Sequence, residues 1–179
     1  MIRLFVALPL PVETRNHLQM LTGGLPGAKW VSPENFHLTL RFVGEVENGQ
    51  ADDIDLALSR IDAPGFSINL EGLDWFGTRT RVSTVVVRAE RCEPLMHLQR
   101  KIESALVRTG LEPEERKFSP HITLARMRAG RPAEVQAYCD ERAMFKDGPI
   151  DMDRFVLCSS FLSQSGAIHQ PEREYTLGA

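Results

Sequence analysis

The amino-acid sequence predicts an α+β fold assembled from two similar halves, and three observations lead to that class. Strands and helices are mixed, with neighbouring strands written as hairpins rather than as a strict β-α-β alternation. No glycine-rich phosphate loop of the kind that opens a doubly wound sheet occurs. The strand pattern H-x-T-L appears at His37 and again at His121, 84 residues later in a chain of 179, each time amid similar strand and helix patterns. No linker or low-complexity tract separates the halves, so residues 1–179 are expected to form one domain whose lobes share an interface.

The elements follow in order. "IRLFVALP" is a dense apolar strand closed by Pro9 and Pro11, and "PVETRNHLQMLTGG" reads as a helix with proline in its first turn and a stop at Gly23 and Gly24. "KWVSPENFHLTLRFVGEV" gives a short segment around Trp30, a turn at "SPEN" and a strand from about Phe36 to Val43. "GQADDIDLALSRID" spaces Ile54, Leu58 and Ile61 helically, with acids expected in its first turn. "FSINLEGLDWF" and "RVSTVVVRAE", separated by "GTRT", form a hairpin. "EPLMHLQRKIESALVRTG" puts Leu95, Leu98, Ile102 and Leu106 on one helical face and ends at Gly110. "HITLAR" is again a strand, "RPAEVQAYCDERAMF" a helix begun by Pro132, and "PIDMDRFVLCSSFL" with "REYTLGA" completes the β content.

Composition narrows the function classes. The net charge of −3 argues against a broad basic surface gripping many phosphates, so any nucleic-acid contact is expected to be local. Cys92, Cys139 and Cys158 are odd in number and widely spaced, which fits buried thiols in a reducing compartment. No window is long and apolar enough to span a bilayer, and the first strand runs into a helical pattern without a small-residue cleavage site. A cytoplasmic protein without membrane contact is expected, and a monomer.

The chemistry is carried by the pair of motifs. From the frequencies of His, Thr and Leu in this chain, chance yields on the order of 0.03 copies of H-x-T-L, so two matched copies ask for a shared purpose. Strand alternation points His37 and Thr39 to one face and Leu38, Leu40 and Phe42 to the other; His121 and Thr123 repeat this against Ile122 and Leu124. Two imidazoles facing across a cleft supply a base and an acid at neutral pH, which suits displacement at phosphorus, where one oxygen loses a proton and another gains one. The threonine hydroxyls would donate to non-bridging oxygens, and an arginine would balance the developing charge. The same alternation places Arg41 on the His37 face and Arg126 on the face away from His121, unless the strand bulges near Ala125. Neither motif carries carboxylates or cysteines at metal-ligand spacing, so no metal or other cofactor is expected and activity should be indifferent to EDTA.

These residues resemble the 2H phosphoesterase superfamily, specifically its bacterial and archaeal RNA 2′,3′-cyclic phosphodiesterases, also called 2′-5′ RNA ligases. "RLFVALPLP" is similar to the family's opening strand, "WVSPENFHLTLRFVGEV" and "KFSPHITLARM" to its two motif regions, and "SSFLSQSGAIHQPEREYTL" to its C-terminal pattern. The resemblance implies two pseudo-symmetric lobes, each an antiparallel sheet with outer helices, flanking a central groove. It implies metal-independent hydrolysis of a 2′,3′-cyclic phosphate on an RNA end, or on a 2′,3′-cyclic nucleotide, to a 2′-phosphomonoester, with 2′-5′ joining as a related activity. By carry-over His37 protonates the departing ribose 3′ oxygen and His121 orients or deprotonates water, while Thr39, Thr123 and Arg126 hold the phosphate. Phe76 matches the position that stacks on the terminal base; Arg41 and Arg128 match more loosely and read equally as solvated charges. His17, His97 and His169 lack a threonine partner and receive no catalytic role. Two other readings remain open, a non-catalytic module that binds RNA ends and a related phosphodiesterase for a small cyclic nucleotide.

Overall fold

The computed structural model describes residues 1–178. Strand β1 (Ile2–Pro9) leads through helix α1 (Val12–Gln19) and the short strand β2 (Lys29–Trp30) to β3 (His37–Val46), α2 (Asn48–Ser59) and β4 (Phe66–Gly77). The chain then repeats the plan with β5 (Val82–Ala89), α3 (Glu93–Arg108), β6 (His121–Gly130), α4 (Pro132–Glu141) and β7 (Lys146–Met152). A last hairpin, β8 (Arg154–Ser163) and β9 (Gly166–Thr176), returns to the first half. The chain is α+β as expected. Asp52 and Asp53 fall past the first turn of α2, because the helix starts at Asn48 and its first turn holds no acid.

All strands join one sheet in the order β7-β4-β5-β6-β3-β1-β8-β9, with β2 pairing β6, and every strand pairing is antiparallel. The sheet has two lobes, β3-β1-β8-β9 on one side and β6-β5-β4-β7 on the other, so β4 crosses to the second lobe and the terminal hairpin returns to the first. The two meet at a single register pair, Leu38 with Ile122. Because β3 and β6 run antiparallel, a local twofold passes through that pair and relates the halves.

Helices cover one face of this sheet. Helix α3 places Leu95, Leu98, Ile102 and Leu106 at 0 % exposure and packs on both β3 and β4, so it ties the halves across the seam. Burying each of these side chains stabilises the fold by about 1.5–3 kcal/mol. Helix α2 packs against α3 and β9, and α4 against β4 and β5. Strand β1 is buried on both faces: Leu4, Val6 and Leu8 enter the main core, whereas Phe5 and Ala7 join Val156 and Cys158 in a small second cluster. Its unbroken apolar run reflects that double burial. The open face, free of helices, is where the two His-x-Thr strands lie side by side.

Candidate active site

The approach to each motif strand fixes its histidine. A 3-10 turn at Pro33–Asn35 delivers the chain to β3, and His37 Nδ1 donates to the Asn35 carbonyl at 2.7 Å. Pro120 precedes β6, and His121 Nδ1 donates to the Ser119 carbonyl, also at 2.7 Å. With Nδ1 engaged on a carbonyl two residues back, Nε2 of each ring remains for other work. His37 Nε2 lies 2.9 Å from Thr39 Oγ1 and accepts from that hydroxyl while the ring is neutral. About the Leu38–Ile122 pair, antiparallel register sets His37 across from Thr123 and His121 across from Thr39. All four expected residues therefore share the open face at the seam.

Beyond the threonines both strands depart from simple alternation in the same way. Against β1 the register passes from Ala7–Thr39 to Val6–Arg41, skipping Leu40; against β5 it passes from Val86–Thr123 to Val85–Ala125, skipping Leu124. Each is a β-bulge, and each leaves two consecutive buried residues, Leu40 with Arg41 and Leu124 with Ala125. The carbonyls loosened by the bulges are still satisfied, Leu40 O by Gln99 Nε2 at 3.4 Å and Leu124 O by the Val31 amide at 2.8 Å. The bulge turns Arg126 onto the His121 face, removing the objection that alternation raised. It has the opposite effect on Arg41, which is 8 % exposed and bonded to Glu103, the Phe42 carbonyl and the Glu112 carbonyl. Arg41 is thus a structural residue outside the groove, and Phe42, expected in the core, is 54 % exposed on the His37 face. Arg128 is exposed on the strand beyond Arg126.

A family model of LigT-like phosphoesterases matches the chain twice, over residues 8–87 and 88–169, and each match contains one H-x-T-L. The chain belongs to the LigT-like phosphoesterase family. It is 36 % identical over 151 residues to the RNA 2′,3′-cyclic phosphodiesterase of Aeropyrum pernix, covering 82 % of this chain and 84 % of that protein. To the enzyme of the same name from Thermotoga maritima it is 31 % identical over 180 residues, covering 94 % and 91 %. The crystal structure of Escherichia coli LigT in apo form superposes with a TM-score of 0.77 at 26 % identity, over 99 % of this chain and 98 % of that one.

In this LigT-like phosphoesterase the pocket is electrostatically set for an anion. Burial pushes His37 down to about 4 against the pull of the Asn35 carbonyl, and the charges of His169, Arg126 and His121 lower it further. His121 is lowered by burial, opposed by the Ser119 carbonyl, and again by Arg126. His169 is lowered by burial and by Arg126. No carboxylate acts on any of the three rings. A phosphodiester entering here would offset the Arg126 charge and raise the imidazoles towards protonation. Among the described residues no three His, Cys, Asp or Glu side chains come together as metal ligands.

Aromatic rings complete the walls. His37 stacks on Phe5 with centroids 4.8 Å apart and an interplanar angle of 28°. His169 stands edge-on to both, 5.3 Å from His37 and 4.9 Å from Phe5. Phe76 meets His121 edge-on at 4.9 Å and is 38 % exposed, so it borders the groove rather than the core. Asn35, Ser119 and Phe5 were not singled out by the sequence, Phe42 was assigned to the core and His169 was given no catalytic role. Asn35 and Ser119 share a signal, the position two before each histidine, whereas His169 carries none, since it is brought in by the terminal hairpin through pairing with Ser160. Of the remaining histidines, His17 pairs with Asp147 at 3.0 Å, and His97 lines a cleft with Arg60 and Arg100 between α2 and α3.

Proposed function

We propose that the protein hydrolyses the terminal 2′,3′-cyclic phosphate of RNA, or of a 2′,3′-cyclic nucleotide, to a 2′-phosphomonoester. The observation that carries this reading is the meeting of His37 and His121, one from each half, on one face at the Leu38–Ile122 seam beside Thr39, Thr123 and Arg126. His121 Nε2 takes a proton from water as its oxygen bonds to phosphorus, and the bond from phosphorus to O3′ breaks. His37, protonated once the anion is bound, gives its proton to O3′. Thr39 and Thr123 donate to non-bridging oxygens, Arg126 meets their charge, and Phe76 stacks on the terminal base. The names borne by the Aeropyrum and Thermotoga relatives agree with this substrate. Joining a cyclic end to a 5′ hydroxyl as a 2′-5′ linkage uses the same pair in the same roles, with the 5′ hydroxyl in place of water: His121 takes its proton and His37 gives one to the departing O3′.

On this reading the two halves act as one bilobal domain and a monomer suffices, since one chain supplies every residue named for the pocket. A cytoplasmic location accords with three free thiols, two of them buried. The deciding experiment incubates the protein with a defined RNA ending in a cyclic phosphate and identifies the product isomer. A 2′-phosphate is expected, with His37→Ala and His121→Ala each slower by about 10²–10⁴; an unchanged end, or a 3′-phosphate, would refute the assignment.

A further inference from the structure

We infer that His169 is a third imidazole of the phosphate pocket, donating a hydrogen bond from Nε2 to a phosphoryl oxygen beside His37. The inference rests on the phosphodiester reading above and adds a contact from the terminal hairpin. Three observations place the ring there. Its ring stands T-shaped to those of His37 and Phe5, with centroids 5.3 and 4.9 Å away. The positive charge of Arg126 acts on His169 as it does on His37 and His121, in keeping with that contact. Ala167, two residues earlier, accepts from Asn35 Nδ2 at 2.9 Å, and the carbonyl of that same asparagine holds His37 Nδ1 at 2.7 Å, so one residue spaces the two histidines.

The tautomer follows from the surroundings. Nδ1 of His169 is buried without a partner. A proton placed there would be an orphaned buried donor, which is costly, so the ring keeps Nδ1 bare and carries its hydrogen on Nε2. Nε2 is not among the buried unpartnered side-chain atoms of the described residues. His169 is therefore a neutral ring with a fixed outward donor, which leaves the proton exchange to His37 and His121. The acceptor that suits a donor within reach of the Arg126 charge is an anionic oxygen.

The test uses inorganic phosphate and adenosine 2′-monophosphate as probes, titrated calorimetrically at pH 7 into the wild-type protein, His169→Phe and His169→Gln. Phenylalanine keeps the edge contacts and removes the donor; glutamine sets an N–H close to the position of Nε2. The phenylalanine variant is expected to bind both probes about tenfold more weakly by the same factor, and the glutamine variant to recover to within about threefold of wild type. Nitrogen chemical shifts of the free protein should show the hydrogen of His169 on Nε2. Unchanged binding in His169→Phe, weakening for the nucleotide alone, no binding of either probe to wild type, or a hydrogen on Nδ1 would each overturn the contact. Wild type that binds phosphate with this pattern yet leaves a cyclic phosphate intact would overturn the proposed hydrolysis and leave the His169 contact standing.

Discussion

At the scale of single residues, the environments of His37 and His121 set the pH behaviour. Both rings lie below 6.5 in the unliganded protein, His37 at about 4 and His121 lowered by burial and Arg126. The free protein then holds one proton on the pair over a window below 6.5, mainly on His121 because His37 is the ring pushed down to about 4, and the productive arrangement with that proton on His37 is its minority form until the anion binds. Because kcat/KM reports the free protein, it is expected to peak on the acid side of 6.5, to fall as the pH rises, and to fall again below about 4. The kcat profile reports the complex, where the negative charge of the diester raises both rings, so its optimum is displaced to higher pH. Steady-state rates from pH 3.5 to 9 check both statements. A kcat/KM optimum above pH 7, with no displacement between the two profiles, would mean that burial and Arg126 do not govern these groups.

At the scale of elements, the two bulges decide which arginine serves the pocket. Arg41 and Arg126 follow their histidines at four and five residues, and period-two alternation assigns them to faces opposite to those they occupy. The pairs His37 with Thr39 and His121 with Thr123 were legible because they precede the bulges. The faces of Arg41, Phe42 and Arg126 were not, because a bulge depends on register with β1 and β5, which the local pattern of one strand does not contain. Most helix and hairpin limits were legible from prolines, glycines and periodicity, whereas β9 and its His169 owe their place to the return of the last hairpin to β1. Opposite consequences follow for the two arginines. Arg41→Ala strands Glu103, which otherwise receives Arg41 Nε at 2.5 Å and the Glu114 amide at 2.9 Å. It is expected to cost roughly 3 kcal/mol of stability while leaving KM near wild type. Arg126→Ala should leave the melting temperature within a few degrees and raise KM or lower kcat at least tenfold. Denaturant unfolding and kinetics on the two variants separate the cases, and an exchange of phenotypes would place Arg41 in the groove after all.

At the scale of the whole molecule, the seam gives the two halves a fixed relation. Only Leu38 and Ile122 pair directly between β3 and β6, and each is flanked by the histidine and threonine of its own strand. Both are at 0 % exposure, so their packing sets the distance between the two motifs. Catalytic geometry is intolerant of displacement, with about 1 Å costing on the order of 10²-fold. Shortening a seam residue should therefore reduce turnover as well as stability. Ile122→Ala opens a cavity between the motifs and is expected to cost about 2–5 kcal/mol and to lower kcat tenfold or more at a temperature where the variant stays folded. Leu106→Ala provides the comparison: Leu106 is equally buried at 0 % exposure but stands near the end of α3, on an element that carries neither motif. A similar stability loss is expected there, with kcat within about threefold of wild type. If the two variants, matched for folded fraction, lost turnover equally, general softening of the core would explain the effect. If only Ile122→Ala slows, the reach between His37 and His121 is held by the one register pair that joins β3 to β6.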